Sequence, residues 1–151
     1  MRGWWFAILF FFSSTINSHE IKPAIVDLII ADGQASIDFK INAEQVLAGV
    51  DASKYQDTND SPQAELYDQY REKNEEDLKL DIQEKWSLFQ DQIIFNDSNK
   101  PLSLNLIDVQ IDHDVNPEYP RDTNLKTSVL IDQNKFSIKF ATKLGPVVIR
   151  Q

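Results

Sequence analysis

The chain contains no cysteine among its 151 residues, which excludes disulfide bonds, thiolate catalysis, cysteine-based zinc sites and lipid attachment to cysteine. Glycine is scarce, with four residues in total, and no phosphate-binding glycine loop can be drawn from them. Basic residues are also few, since 15 stand against 24 acidic ones and the formal net charge is −9. An acidic chain has no electrostatic surface for nucleic-acid phosphates or anionic lipid, so we expect neither as a partner.

The residue patterns that catalysis requires are missing from the sequence as well. No Gly-x-Ser-x-Gly segment is present to hold a nucleophilic serine on a strained turn. Carboxylates are abundant, but in a chain this acidic a run such as Glu75-Glu76-Asp77 is typical of a solvated face, and spacing singles out no acid–base pair. We therefore expect a protein that is not an enzyme, and the sequence identifies no small-molecule substrate.

The first eighteen residues have the pattern of a secretory signal peptide. Arg2 is the only charged residue before Glu20, residues 4–12 are an unbroken apolar run of nine, and a small polar segment follows at 13–18. Nine apolar residues are too few to span a membrane, which takes about 20. We expect cleavage after Ser18 and a mature domain of residues 19–151 outside the cytoplasmic membrane, in the periplasm. A buried N-terminal strand or helix is the alternative.

Alternating apolar residues predict that the mature domain is rich in strands. The runs 24–30 and 36–41 flank Asp32-Gly33, a pair of residues typical of a hairpin turn. Apolar alternation returns between 102 and 149 in four further runs, and the whole pattern predicts five to seven antiparallel strands. In the first of these runs the apolar phase reverses near Leu106-Ile107, which predicts a bulge or bend there.

The middle of the chain changes to a helical period. Asn42 and Gly49 are expected to cap a short helix, Ser61-Pro62 to begin a second one, and Asn74 to cap a third. In the third helix apolar residues three or four positions apart form a core-facing stripe: Leu78, Ile82, Trp86, Phe89 and Ile93. The predicted fold class is α+β, an antiparallel β-sandwich-like domain with an insertion of two to three helices.

Two groups of residues could bind a cation. The loop 57–61 carries oxygen ligands at alternate positions, but Pro62 stands where a calcium-binding loop has glycine, and turn and capping chemistry before a helix is the favoured interpretation.

The second group contains the two histidines of the chain. His19, the predicted mature N-terminus, offers an α-amine and an imidazole, and the other histidine is flanked by carboxylates. Together they could form a nitrogen-rich metal site for nickel or copper. Two exposed histidines that are far apart in space are the alternative. The candidate metal ligands are His19, Asp112, His113 and Asp114.

Several short segments form an ordered pattern along the mature chain. They are His19-Glu20-Ile21-Lys22-Pro23-Ala24, Asn42-Ala43-Glu44 with Leu47-Ala48-Gly49, Asp57-Thr58 with Ser61-Pro62, Tyr67-Asp68 with Arg71, Pro120-Arg121-Asp122, and Gly145-Pro146-Val147-Val148-Ile149-Arg150-Gln151. In this order they resemble the extracytoplasmic N-terminal domain of HupE/UreJ-type proteins, a family named after hydrogenase and urease accessory membrane proteins.

The resemblance implies a signal peptide, a β-rich domain and several membrane helices, with an accessory role linked to uptake of nickel or another metal. The implied partner is the membrane part of the same or another protein, and the domain would then be membrane-associated. Residues 1–151 contain neither those helices nor their His-x-x-x-x-Asp-His motif, so no residue here inherits metal passage. A free-standing periplasmic metal-binding protein that uses His19 is the alternative. The resemblance marks, as structural or interaction sites, Tyr67, Arg71, Pro120, Arg121 and Asp122.

Overall fold

The centre of the fold is the hairpin that the sequence predicts around Asp32-Gly33. A computed structural model describes residues 20–97, 100–112, 119–132 and 136–150. In it, β1 (Ala24–Ala31) and β2 (Gln34–Ile41) pair antiparallel over their full lengths. Asp32 and Gly33 both have positive φ, 50° and 76°, as a tight hairpin turn between right-twisted strands requires. The predicted hairpin is therefore confirmed.

Three later strands extend this hairpin into a five-stranded sheet. On one side β6 (Thr123–Leu130) pairs antiparallel with β2, and β5 (Asn105–Ile111) pairs antiparallel with β6. On the other side β8 (Val147–Arg150) pairs parallel with β1, so the order is β5-β6-β2-β1-β8. The pairing of β5 with β6 shifts register between Leu106 and Asp108, which confirms the predicted bulge.

A second, smaller sheet has the order β4-β3-β7. It consists of β3 (Ile93–Asp97), β4 (Lys100–Leu102) and β7 (Phe136–Phe140), all antiparallel. The polar run Asp132-Gln133-Asn134-Lys135 predicts a turn between β6 and β7, and residues 133–135 lie outside the described residues. Instead of pairing with β6, β7 crosses to the smaller sheet and pairs with β3.

Four α-helices lie between β2 and β3 in the described part of the chain: α1 (Ala43–Ala48), α2 (Ala64–Arg71), α3 (Glu75–Glu84) and α4 (Trp86–Gln90). Short 3-10 helices cover Thr58–Asp60 and Thr142–Leu144. The side chains of Asn42 and Asn74 accept hydrogen bonds from Gln45 N and Asp77 N, so both predicted N-caps are confirmed. No helix in the described ranges is long and apolar enough to cross a membrane.

One face of the large sheet and the insertion share a single core. The inward side chains of the sheet, such as Val26, Ile37 and Phe39, have no exposed surface, and Leu78 and Ile82 of α3 are equally buried. The core continues into the smaller sheet through Phe95. The structure confirms the predicted fold class, an α+β domain with two sheets in sandwich-like packing and an inserted group of helices.

The structure corrects four local predictions. The second helix begins at Ala64, because Ser61 Oγ accepts from Gln63 N in a turn before it. The predicted apolar stripe is divided at Lys85, and Ile93 belongs to β3, where two consecutive isoleucines followed by phenylalanine favour a strand. The described residues form eight strands, which exceeds the predicted five to seven. Finally, β8 runs parallel to β1, a pairing that the long connection through the helices and the smaller sheet allows.

Candidate functional site

A buried carboxylate, Glu44, lies where the helices meet the large sheet. It is in the first turn of α1 and has no exposed surface. Arg121 Nε donates a hydrogen bond to Glu44 Oε1 at 2.7 Å, and Arg71 Nη1 lies 3.7 Å from the same oxygen. The other oxygen, Glu44 Oε2, has no hydrogen-bond partner among the described residues. A buried charge is costly unless it is paired, so these two guanidinium groups stabilise the carboxylate in this position.

Arg121 also closes the end of α2. Its Nη1 donates to the carbonyl oxygen of Lys73 at 2.9 Å, and its Nη2 donates to that of Tyr70 at 3.1 Å. Carbonyls at a helix C-terminus have no partner within the helix, and a guanidinium group can satisfy several of them at once. Arg121 lies two residues before β6 begins. Because its side chain contacts Glu44 of α1 and the carbonyls at the end of α2, it joins the sheet to both helices.

Tyr67 and Arg71 reach the same cluster from α2, where a spacing of four residues places them on one face. Tyr67 is 1% exposed, and its hydroxyl oxygen accepts a hydrogen bond from Asn42 Nδ2 at 3.0 Å. Burial of the ring raises the pKa of Tyr67 to about 12. Arg71 Nη2 also donates to the carbonyl oxygen of Tyr119. The buried cluster therefore consists of Asn42, Glu44, Tyr67, Arg71 and Arg121.

The segment Pro120-Arg121-Asp122 divides its side chains between two environments. Pro120 is buried, Arg121 points to the helices, and Asp122 contacts two lysines of the large sheet and the segment before it. Asp122 Oδ2 lies 2.9 Å from Lys40 Nζ, and Asp122 Oδ1 lies 3.9 Å from Lys22 Nζ. The hydrogen bond with Asp122 raises the pKa of Lys40.

A cleft of about 450 Å³ opens beside this ion pair, and its volume lies within the usual range for ligand pockets, about 300–1,000 Å³. Arg150 at its edge is paired with Asp27, with Nε 2.6 Å from Oδ1, and this contact holds the pKa of the Asp27 carboxyl below its ordinary value. The charged residues of the cleft are Lys22, Lys40, Asp122 and Arg150, and its apolar residues are Pro23, Ile25, Ile41 and Val148.

The structure brings together most of the residues that the resemblance marked. Tyr67, Arg71 and Arg121 meet in the buried cluster, and Asp122 lies in the adjoining cleft. Glu44, on which the cluster depends, belongs to the quoted pattern but was not singled out as a site. The available signal was a lone acid in the first turn of a short helix whose other residues, apart from Gln45, are apolar.

Only one of the four candidate metal ligands, Asp112, belongs to the described residues. His19, His113 and Asp114 lie outside them, and so do the predicted signal peptide and Gln151. Asp112 is described, is exposed, and donates its backbone N–H to the carbonyl oxygen of Asp122 at 2.9 Å. No three His, Cys, Asp or Glu side chains in the described ranges are placed to hold one metal ion. In the loop 57–61, Asp57 Oδ1 accepts from Asn59 N at 2.9 Å and caps a 3-10 helix, as the capping interpretation predicted.

The two-histidine site remains a prediction that calorimetry can test. Micromolar nickel(II) or copper(II) should raise the melting temperature of the mature domain, because a ligand that binds the folded state stabilises it. His113→Ala should remove the increase, whereas Lys100→Glu should leave it in place. No increase in the wild type, or an equal increase in His113→Ala, would contradict the site.

Comparison of the chain with protein-family models, with curated proteins and with solved structures finds no match.

Proposed function

We propose that the chain is a non-enzymatic extracytoplasmic binding domain, the accessory domain of a HupE/UreJ-like membrane protein that takes up nickel or another metal. The observation that supports this proposal is the meeting of the patterned residues. Asn42, Glu44, Tyr67, Arg71 and Arg121 come from three separate segments, yet they form one hydrogen-bonded and ion-paired cluster. Segments that belong to one structural signature should meet in this way.

The chemistry of the cluster favours a binding domain over an enzyme. Glu44 has no exposed surface and is held by Arg121 and Arg71, so its carboxylate is not available to take a proton from a substrate. Its role in this proposal is to hold the helices against the sheet. The adjoining cleft, with Lys22 and Lys40 at its edge, is the accessible surface that a partner or ligand would contact.

The membrane part of the proposal is tested by reading the natural gene past the codon of Gln151. We expect apolar segments that carry His-x-x-x-x-Asp-His, and a stop codon directly after Gln151 would contradict a membrane part in this polypeptide. N-terminal sequencing of the exported product should begin at His19, and a product that retains Met1 would contradict the signal peptide.

The transport part is tested in the native host by deleting the gene and measuring cellular nickel, cobalt and zinc by mass spectrometry under metal limitation. We expect accumulation of one metal to fall severalfold and to return when the natural gene is restored. A restored gene with Lys100→Glu, an exposed residue of the smaller sheet, is the matched control and should behave as the wild type. Unchanged accumulation of every metal would contradict a role in uptake.

A further inference from the structure

The edge strand β8 is open along one side. It pairs with β1, and no other described strand lies along its second edge. Exposed edges invite pairing with other chains, so proteins usually protect them with bulges, prolines, charges or very short strands. Residues 147–150 contain no proline and no shift of register, and Val148 and Ile149 are 49% and 50% exposed.

The other sheet edges carry the usual protection. The edge strand β5 contains the bulge between Leu106 and Asp108. The edge strand β4 has only three residues, one of them Pro101, and β7 carries the exposed Lys139. β8 is also short, with four residues, and carries the charged Arg150, but it combines an unpaired edge with two exposed apolar side chains, Val148 and Ile149.

A row of charged residues on the outer face of the large sheet ends at this edge. The pairing registers place Asp108 opposite Lys126, Lys126 opposite Asp38, Asp38 opposite Asp27, and Asp27 opposite Arg150. The two neighbouring acids, Asp38 and Asp27, are flanked by a cation on each side. Arg150 is the last residue of this row. Its Nε and Nη2 are bonded to Asp27, which leaves Nη1 for an acidic side chain at the next position across the sheet.

At the same edge, the neighbouring pair of residues on the outer face is apolar, and so is the pair on the inner face. Ile25 of β1 is opposite Val148, and both line the cleft that holds Lys22 and Lys40. On the other face Val26 is opposite Ile149. A strand added beside β8 would therefore meet one cation and two apolar side chains in a defined alternation.

We propose that β8 is a docking edge for an extended segment of another protein, which adds a strand to the large sheet and places an acidic residue opposite Arg150 and apolar residues opposite Val148 and Ile149. The backbone hydrogen bonds would supply affinity, and the acid with its apolar neighbours would supply specificity. A second copy of this chain is a poorer occupant, because its β8 has no acid to offer and its formal charge of −9 opposes association. This inference does not depend on the proposed function.

The probe is a synthetic peptide, acetyl-Ser-Ile-Val-Glu-Val-Ile-Ser-amide, whose alternation fits β8 in either strand direction. It is titrated into the full chain, labelled with ¹⁵N, and binding is read from the amide signals. We expect saturable shifts centred on residues 147–150. Peptides with glutamine or lysine in place of the glutamate should bind more weakly. Saturable shifts centred on another edge, or no binding of the glutamate peptide, would overturn the proposal.

The charge contact is tested by exchanging its two signs. Arg150→Glu should weaken binding of the glutamate peptide about fivefold to tenfold, the range for an exposed charge pair that is lost and replaced by repulsion. The same variant should bind the lysine peptide more tightly than the wild type does. Lys100→Glu makes the same change of net charge on the smaller sheet and should leave both affinities unchanged.

A second variant keeps the proposal open to test if Arg150→Glu disturbs the fold. Val148→Lys retains the arginine but places a charge where an apolar contact is required, so it should also weaken the glutamate peptide severalfold. Equal affinities in wild type, Arg150→Glu and Val148→Lys would overturn the proposal. Self-association in sedimentation experiments, together with protection of amides 147–150 from hydrogen exchange, would overturn it as well. The occupant would then be a second copy of this chain.

Discussion

Replacing Arg121 with alanine should lower the free energy of unfolding by about 3–5 kcal/mol, the cost of removing one partner from a buried ion pair. The variant leaves Glu44 buried with only the 3.7 Å contact to Arg71, and it removes the donors to the carbonyls of Tyr70 and Lys73. Domains of this size are stable by about 5–15 kcal/mol, so the loss would be a large share of the total. Urea denaturation followed by circular dichroism measures it.

Two further variants distinguish the cost of a buried unpaired charge from the cost of losing an ion pair at the surface. Arg150→Ala breaks an exposed ion pair with Asp27 and should leave the urea midpoint almost unchanged. The double variant Glu44→Gln with Arg121→Met should recover part of the loss, because a neutral amide costs less to bury without Arg121 than a carboxylate does. If Arg121→Ala unfolded at the wild-type urea concentration, the cluster would not hold the helices on the sheet.

Raising the pH from 10 to 12 should remove about 2–3 kcal/mol of stability through Tyr67 alone. The pKa of the buried phenol is about 12, whereas an unfolded tyrosine has its ordinary value of 10.0. A folded pKa above the unfolded one gives stability that is fully present below pH 10 and is lost as the pH rises through 12. Above pH 10 the unfolded chain releases its proton first, which shifts the equilibrium toward unfolding.

Tyr67→Phe is the control for this titration. Near pH 7 it should be less stable than the wild type by about 1 kcal/mol, because the hydrogen bond from Asn42 is lost. Toward pH 12 the difference should shrink and then reverse, since phenylalanine does not ionise. Parallel stability curves for the two proteins between pH 8 and 12 would contradict the assignment of the alkaline loss to Tyr67.

Local features of the fold could be predicted because their causes are local in the sequence. Asp32-Gly33 favours positive φ at two consecutive residues. The side chains of Asn42 and Asn74 can accept hydrogen bonds from the N–H groups of the helices that follow them. A reversal of apolar phase near Leu106 requires an extra residue in the strand. Each of these depends on a few neighbouring residues. None depends on which distant strand lies alongside.

The pairing partners of the later strands could not be predicted in this way. The apolar alternation of residues 136–140 and the continuous apolar run 147–149 are compatible with any open sheet edge. They could not place β7 beside β3 or make β8 parallel to β1. Ile93 continued a helical spacing and still joined a strand, because pairing with Phe140 outweighs the preference of one residue.

The sequence alone determined the alternation of strands and helices, the turns and caps between them, and the acidic balance of charge. Only the tertiary structure decided that Glu44 is buried beneath Arg121 and Arg71, and that Arg150 ends a charged row at an open sheet edge. The physical reason is range: propensity and capping act over a few residues, whereas an ion pair between residues 44 and 121 exists only once packing has brought them within 2.7 Å.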